Sequence, residues 1–358
     1  MPDAPSPDLS IIIVSWNVRE LLRGCLRSIC RDQGSGVRGQ GQATPPLTPD
    51  ACLLTPEIIV IDNASADGSA AMVAAEFPQV RLIANADNRG FTGGNNQGIA
   101  VAQGRYVFFL NPDTVVMDDA LATMIAYMEA HPDVGVIGPQ LRYGDGSLQS
   151  SRRRFPTFGS ALFESTPLAW HWPDNPWARR YRMEDRGSGI RDQETGGREQ
   201  DEVGADSAGL AGEEVDWLVG AALLTRRNVI DQVGVFDEGY FMYSEELDWC
   251  RRVKMAGWRV VYLPSAQIVH YEGKSSEQVV AARHIHFHTS RVRYARKYHG
   301  AAAAAAVRAF LLVTFAFQWV EEGVKWLVGW VVPSQRAKRA MRRERMTAYR
   351  QVLRSRLR

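Results

Sequence analysis

Asp113 stands directly behind the apolar run Tyr106–Leu110 (YVFFL), in the turn Asn111-Pro112-Asp113. A carboxylate there can hold a divalent ion, and such an ion neutralises the charge developing on a diphosphate leaving group. An Asp beside Pro is equally a common turn residue. Asp62 follows Glu57–Ile61 (EIIVI) in the same way. It can accept hydrogen bonds from a base or ribose, or serve as the capping or Asx-turn residue of Asp-Asn-Ala-Ser. Glu245, Glu246 and Asp248 crowd three carboxylates into the first turn of a predicted helix, where the helix dipole favours negative charge. Solvated capping would account for them. The apolar, aromatic stretch from Gly239 to Ser244 instead predicts a walled cleft in which one of these acids acts as general base toward a hydroxyl. His270 ends the run Ile268–His270; alone it reads as a structural histidine, whereas near Asp113 it would complete a divalent-metal shell. The glycine-rich stretch Asn88–Gly98 leads into a helix, so its N–H groups and Arg89 can approach phosphate or ribose oxygens. It matches neither GxGxxG nor GxxxxGK[ST] and is unspecific by itself.

These residues need a frame that gathers strand ends. Ser10–Trp16 (SIIIVSW), Glu57–Ile61, Val80–Ile83 and Tyr106–Leu110 read as buried parallel strands. Helices are predicted over Val18–Ile29, Ser69–Phe77 and Gly93–Ala102. This alternation predicts an α/β, doubly wound and mainly parallel sheet, whose ligands bind beyond the carboxyl ends of the strands, where Trp16, Asp62 and Asn111–Asp113 all fall. Further on, Ala120–Ala130 reads as a helix, Val134–Gly138 as a short strand and Gln140–Arg154 as a hairpin-like excursion toward an acceptor. Val215–Leu224 reads as a strand, Arg227–Val233 and Glu245–Ala256 as helices, and Arg259–Tyr262 and Ile268–His270 as two strands. Residues 31–56 and 184–214 lack a hydrophobic period and read as inserted, flexible segments. The domain organisation expected is a body over 1–300, an apolar helical segment over 301–333 and a basic tail over 334–358.

With 45% hydrophobic and 23% charged residues in 358, the chain is an ordinary globular protein. The net charge of +2 hides a tail from Gln335 to Arg358 dense in Arg and Lys, with Glu344 its only acid. The spacing of Cys25, Cys30, Cys52 and Cys250 fits no zinc site, so they read as thiols in a reducing compartment. The N-terminus carries no secretory pattern, which points to a cytoplasmic catalytic body. Ala301–Val320 is apolar but contains Arg308 and is followed by Glu321, Glu322 and Lys325, so it is expected to lie on a membrane rather than cross it. Phe310, Phe315, Phe317, Trp319, Trp326 and Trp330 suit the headgroup boundary, and the basic tail suits an anionic inner membrane face. The alternative is packing on the domain or on a second subunit, which leaves a homo-oligomer open. No nucleic-acid module is present in the sequence.

The ordered set SIIIVSWN, EIIVIDNASADGS, NADNRGFTGGNNQG, YVFFLNPDT, VDWLVGAALLTRR, FDEGYFMYSEELDWCRR and VHYEG resembles family 2 glycosyltransferases, in the bacterial rhamnosyltransferase-like branch. The resemblance covers Ser10 to His299 apart from the two insertions, and the ordered set is far more specific than any one motif. It implies a GT-A (Rossmann-like) fold and inverting transfer of a sugar from a nucleotide-diphosphate donor to a hydroxyl of a membrane-associated glycan or polyprenyl-linked acceptor. It implies that Ser15, Trp16, Asn17, Asp62, Arg89, Gly90, Phe91, Asn95 and Asn111 hold the donor. Asp113 and His270 would bind Mg2+ or Mn2+, the family's DxD motif being Asn111-Pro112-Asp113 here. Glu246 matches the catalytic base, with Glu245 or Asp248 sharing its task or binding acceptor, and Trp217, Gly220 and Ala221 line the acceptor side. The branch points to L-rhamnose from dTDP-rhamnose. A nicotinamide dehydrogenase is disfavoured because Trp16-Asn17-Val18-Arg19 stands where its glycine fingerprint belongs. A sugar nucleotidyltransferase and a non-catalytic membrane scaffold of the same fold remain as alternatives.

Overall fold

The computed structural model describes residues 7–32, 56–117, 119–166, 172, 174–183, 211–271 and 280–358. Cys52, most of the expected 31–56 loop and residues 184–210 of the second expected insertion lie outside them. The chain divides into two compact units, one of Met1–Arg154, Gly187–Glu238 and Glu246–Ser275, the other of Phe155–Arg186, Gly239–Glu245 and Ser276–Arg358.

The first unit is built on a mixed, mostly parallel sheet. Its opening strands are β1 (Leu9–Ser15), β2 (Glu57–Asp62), β3 (Arg81–Ala84) and β4 (Tyr106–Leu110), with α1 (Arg19–Asp32), α2 (Ser69–Glu76) and α3 (Gly90–Val101) between them. They lie in the order β3-β2-β1-β4 and all pair in parallel. All seven residues of β1 are buried, which is why its sequence is a continuous apolar run rather than an alternating one. Ile11, Ile13, Phe108 and Leu110 share a core with Leu22, Cys25 and Leu26 of α1. Each such side chain, fully buried, stabilises the fold by ~1.5–3 kcal/mol. On the other face α3 approaches so closely that a Cβ on Gly98 would lie 2.4 Å from Ile12 Cγ2, so glycine is required there by close packing.

The strands that follow are β5 (Thr114–Val116), β6 (Val134–Arg142), β7 (Leu148–Gln149), β8 (Arg152–Arg153), β9 (Glu213–Glu214), β10 (Trp217–Leu218), β11 (Ala222–Arg226) and β12 (Arg259–His270). The helices α4 (Ala120–Ala130), α5 (Phe158–Phe163), α6 (Pro176–Tyr181), α7 (Arg227–Val233) and α8 (Glu245–Met255) intervene. Beyond β4 the sheet continues β11-β6-β12-β5, with β11 antiparallel to β4 and β6, and β12 parallel to β6.

Several boundaries differ from the sequence reading. α3 begins at Gly90, not Gly93, and β6 runs on to Arg142. The predicted strand Val215–Leu224 is two strands: Trp217–Leu218 pairs with Arg152–Arg153, and Ala222–Arg226 then changes partner to β4. The two predicted strands 259–262 and 268–270 are one, β12, whose register shifts between Leu263 and Gln267. The expected insertion 184–214 also ends in structure, since Glu213–Glu214 pairs with β12.

The second unit is helical, dominated by α9 (Val280–Val331), which breaks at Gly300 (φ 89), and by α10 (Arg339–Ser355). The expected basic tail is thus mostly a helix, folded back on α9: Val352 and Leu357 share a core with Val307, Leu311 and Phe315. Two of the charges that interrupt the apolar run, Arg308 and Glu322, turn toward this partner, while Glu321 and Lys325 pair with each other on α9. Arg308 Nε donates to the Arg356 carbonyl at 2.7 Å, and Arg345 pairs with Glu322 at 3.2 Å. Phe310, Val313, Phe317, Val320, Val324, Leu327 and Val331 are left exposed at intervals of three and four, one continuous apolar face.

Candidate active site

The order of strands reverses between β1 and β4, and there the polar residues collect at the carboxyl edge. Ser15 ends β1, Asp62 ends β2, and Asn111 follows β4. The backbone is left-handed at Asn17 (φ 53) and Ala64 (φ 59), each just past a strand end, a cost tolerated where a loop must turn sharply over a site. Asn17 accepts from Ala66 N–H at 2.7 Å, so its side chain braces the loop after β2. Asp62 accepts Ser65 N–H at 3.0 Å with Oδ2, while its Oδ1 is buried with no hydrogen-bond partner. Ser15 Oγ and Thr92 Oγ1 are buried and unpartnered in the same sense. A buried polar atom left unsatisfied costs ~1–3 kcal/mol, so these three oxygens are available for further hydrogen bonds. Thr92 escapes a reading of the sequence, because it lies within the glycine-rich stretch without a motif of its own.

α3 is fixed to this edge by Asn63, whose amide donates to the Gly90 carbonyl at 2.9 Å and accepts from Asn85 at 2.9 Å. Asn85 in turn exchanges hydrogen bonds with Gln97 at 2.8 and 3.0 Å. Of the predicted donor-loop residues, Arg89 is half-exposed with Asp87 3.9 Å away, Gly90 is buried and left-handed (φ 75), and Phe91 is partly buried. Asn95 is buried and donates to the Phe91 carbonyl at 3.0 Å, a bond internal to its helix. Trp16 is partly buried at the end of β1.

Asp113 and His270 are 157 positions apart and meet. β5 and β12 pair antiparallel with Thr114 opposite His270, which sets the residue before Thr114 beside the imidazole. His270 Nε2 lies 3.4 Å from Asp113 Oδ1 and 3.4 Å from Asn111 Nδ2, and both Asp113 and His270 are buried. Its Nδ1 is 3.0 Å from Gln149 Oε1. Below the turn, Thr114 Oγ1 donates to the Asn111 carbonyl at 2.7 Å, and Cys25 Sγ sits 3.5 Å from Thr114. Burial pushes the Cys25 thiol up to about 12, so it packs rather than reacts. One carboxylate, one imidazole and the buried, unpartnered Oδ1 of Asn111 fit a hard or borderline divalent cation. No group of three His, Cys, Asp or Glu gathers among the described residues.

α8 is anchored by Trp249, which packs edge-on against Phe109 at 6.0 Å, lies tilted against Phe236 at 5.3 Å and donates to the Gly234 carbonyl. This holds Glu246 against Gly220, where a Cβ would lie 3.3 Å from Glu246 Cγ. The next residue, Ala221, accepts the Asn111 N–H at 2.9 Å, so one backbone segment touches both the acid and the Asn-Pro-Asp turn. Trp217 is buried and donates to the Arg154 carbonyl at 2.9 Å. Asp248 is fully buried and ion-paired with Arg252 at 3.0 Å, which also holds the Val235 carbonyl. Glu245 is buried and falls in the second unit, whose segment 239–245 packs on α9: Phe241 stacks on His286 at 4.4 Å and Tyr243 meets Phe287 at 5.5 Å.

A sheet that opens 3-2-1-4, with polar groups gathered at its point of reversal, has the arrangement of a nucleotide-binding α/β fold. Residues 10–195 match the profile of glycosyl transferase family 2, and the chain belongs to that family. An N-acetylglucosaminyl-diphospho-decaprenol L-rhamnosyltransferase of Mycobacterium tuberculosis H37Rv is 30% identical over 230 residues, covering 61% of this chain and 67% of that one. The rhamnosyltransferase WbbL of Escherichia coli K12 is 29% identical over 188 residues, covering 50% of this chain and 60% of that one. GalNAc-T7, solved with UDP, GalNAc and Mn2+, has a TM-score of 0.50 and 14% identity, over 82% of this chain and 48% of that one, a likeness of fold. The chain is a glycosyltransferase with a GT-A sheet, in the rhamnosyltransferase-like branch that its motifs indicate.

Proposed function

We propose that this glycosyltransferase moves a sugar from a nucleoside diphosphate to an acceptor hydroxyl by a single, inverting displacement. The observation that carries the reading is the buried meeting of Asp113 and His270 at 3.4 Å beside Asn111, bound through Ala221 to the segment that touches Glu246. Ser15, Asp62 and Thr92 receive the nucleoside with their unpartnered oxygens. Arg89 and the start of α3 face the donor phosphates, with Trp16, Gly90 and Phe91 shaping that side. Asn17 acts by bracing the loop after β2, and Asn95 lies in the first turns of α3 on the donor side. Asp113 and His270 would hold Mg2+ or Mn2+, which when bound supplies positive charge to the departing diphosphate. Glu246 takes the acceptor proton, since Asp248 is committed to Arg252 and orients the helix. Trp217, Gly220 and Ala221 form the acceptor side. The names of the two relatives support rhamnose as the sugar moved, and the first supports a saccharide on a diphospho-polyprenol as acceptor, while dTDP-rhamnose is the donor that the resemblance implies.

Catalysis is assigned to the body within 1–300, and membrane contact to 301–333 with the basic residues of 334–358. The exposed apolar face of α9 supports a cytoplasmic enzyme held peripherally on the inner face of the membrane. α9 is also long and apolar enough to cross a membrane by length and composition. Release of nucleoside diphosphate from dTDP-, UDP- and GDP-sugars, with and without Mn2+, tests the chemistry. Metal-dependent turnover of dTDP-rhamnose is expected. Pyrophosphate release would move the assignment to a nucleotidyltransferase, and no turnover with any donor plus membrane lipid would favour the scaffold. Flotation with anionic vesicles tests the membrane face, and binding should fall when Phe317 and Val324 are changed to Glu.

A further inference from the structure

We infer that Gln149 is a positioning residue that sets the tautomer of His270, keeping the Nε2 lone pair directed at the site where Asp113 and His270 converge. The inference rests on the proposed metal role of His270. A neutral imidazole carries one N–H, and its two nitrogens then have opposite roles. Asn111 approaches Nε2 at 3.4 Å with its amide nitrogen, a donor only, a contact that suits an Nε2 lone pair and a proton on Nδ1. Nδ1 faces Gln149 Oε1 at 3.0 Å, an acceptor only, and the two contacts demand the same tautomer. With the other tautomer, Nε2–H would point at Asp113 Oδ1, 3.4 Å away, and both groups would be tied up in a hydrogen bond where a cation needs two lone pairs. His270 and Gln149 are 4% and 6% exposed, so solvent is poorly placed to substitute for the amide.

The device is assembled by the fold. Gln149 lies in β7, opposite Leu141 of β6, and β6 is the parallel neighbour of β12, which carries His270. The short excursion after β6 thereby delivers a carbonyl to the far side of the imidazole. An amide rather than a carboxylate fixes the proton without adding charge to a ligand set that already contains Asp113.

The test compares wild type with Gln149→Leu, Gln149→Glu and His270→Asn in the full chain. Long-range proton–nitrogen spectra of 15N-histidine protein without metal report the tautomer, with the His270 signal assigned by its loss in His270→Asn. Mn2+ affinity, read from the electron paramagnetic resonance of free Mn2+ with nucleoside diphosphate present, reports the consequence. Wild type should show the Nδ1–H form. Gln149→Leu should lose that form and bind Mn2+ about 10–100-fold more weakly, while Gln149→Glu, which keeps an acceptor, should restore both. A wild-type His270 in the Nε2–H form overturns the inference without any substitution, as does a Gln149→Leu protein with unchanged tautomer and affinity. Unchanged Mn2+ binding in His270→Asn would instead remove the metal role itself. Weak binding in His270→Asn with full binding in Gln149→Leu defeats only the role of Gln149.

Discussion

At the ends of β2 and β3, Asn63, Asn85, Gln97 and the Gly90 carbonyl hold one another at 2.8–3.0 Å. At the end of β4, Asn111 and Asp113 each stand 3.4 Å from His270. Both regions are polar and gathered at the same sheet edge, yet the first closes its hydrogen bonds and the second leaves them long. The difference separates scaffold from chemistry. In the proposed mechanism, side chains with short, complete bonding maintain the geometry of the donor loop, and those held apart are the ones that meet ligand atoms.

The largest break in that comparison is expected from Glu246→Gln. Removing the base should lower kcat by about 10²–10⁴-fold while Mn2+ binding and melting temperature stay at wild-type values; a kcat within a few-fold of wild type would move the base elsewhere. Asp113→Asn should follow, with a loss of about 10²–10³-fold in turnover and weakened Mn2+ binding by calorimetry. Asn63→Ala should act on the scaffold instead. It removes the side-chain donor to the Gly90 carbonyl and one of the partners of Asn85, so stability should fall by about 1–3 kcal/mol, with donor KM raised more than kcat is lowered. Equal losses in Asn63→Ala and Asp113→Asn would erase the distinction between the two regions.

The smallest effect concerns the helical unit. Burial, with Arg291 and His284 nearby, lowers His288 to about 3 from the ordinary 6.5. Its folded pKa lies below its unfolded one, so the unfolded chain takes up a proton that the folded chain refuses. Stability should therefore decline as pH falls from about 6.5 toward about 3 and be independent of this group above 6.5. Hydrogen exchange across α9 at pH 5 and 7 would show it, and His288→Phe should flatten the difference.

Much of the sheet is legible in the order of residues. The runs SIIIVS, EIIVID and YVFFL carry no alternation because both of their faces are covered, and a strand buried on both sides announces itself. Short strands do not. β5, β7 and β9 have two or three residues each and exist because β6 and β12 offer them an edge, which no local pattern encodes. The break in Val215–Leu224 is hidden for the same reason, since apolar content continues across a change of partner. The basic segment reads as a tail because its charge density resembles a solvated run. Its buried side, Arg342, Ala348 and Val352, becomes visible only against α9.

Residue order alone determined the class of fold, the four opening strands to within a residue at each end, and the chemical types available: Asp62, Asp113, Glu246 and His270 are all identifiable from motif and position. Only the tertiary structure decided which of them act together. Asp113 and His270 become neighbours because Thr114 and His270 pair across β5 and β12. Glu246 reaches Gly220 because Trp249 docks its helix on Phe109 and Phe236. Gln149, which has no motif, enters because β7 bends back beside β6. Local sequence sets backbone preference and burial over a few residues, whereas proximity across more than a hundred is set by strand pairing and core packing.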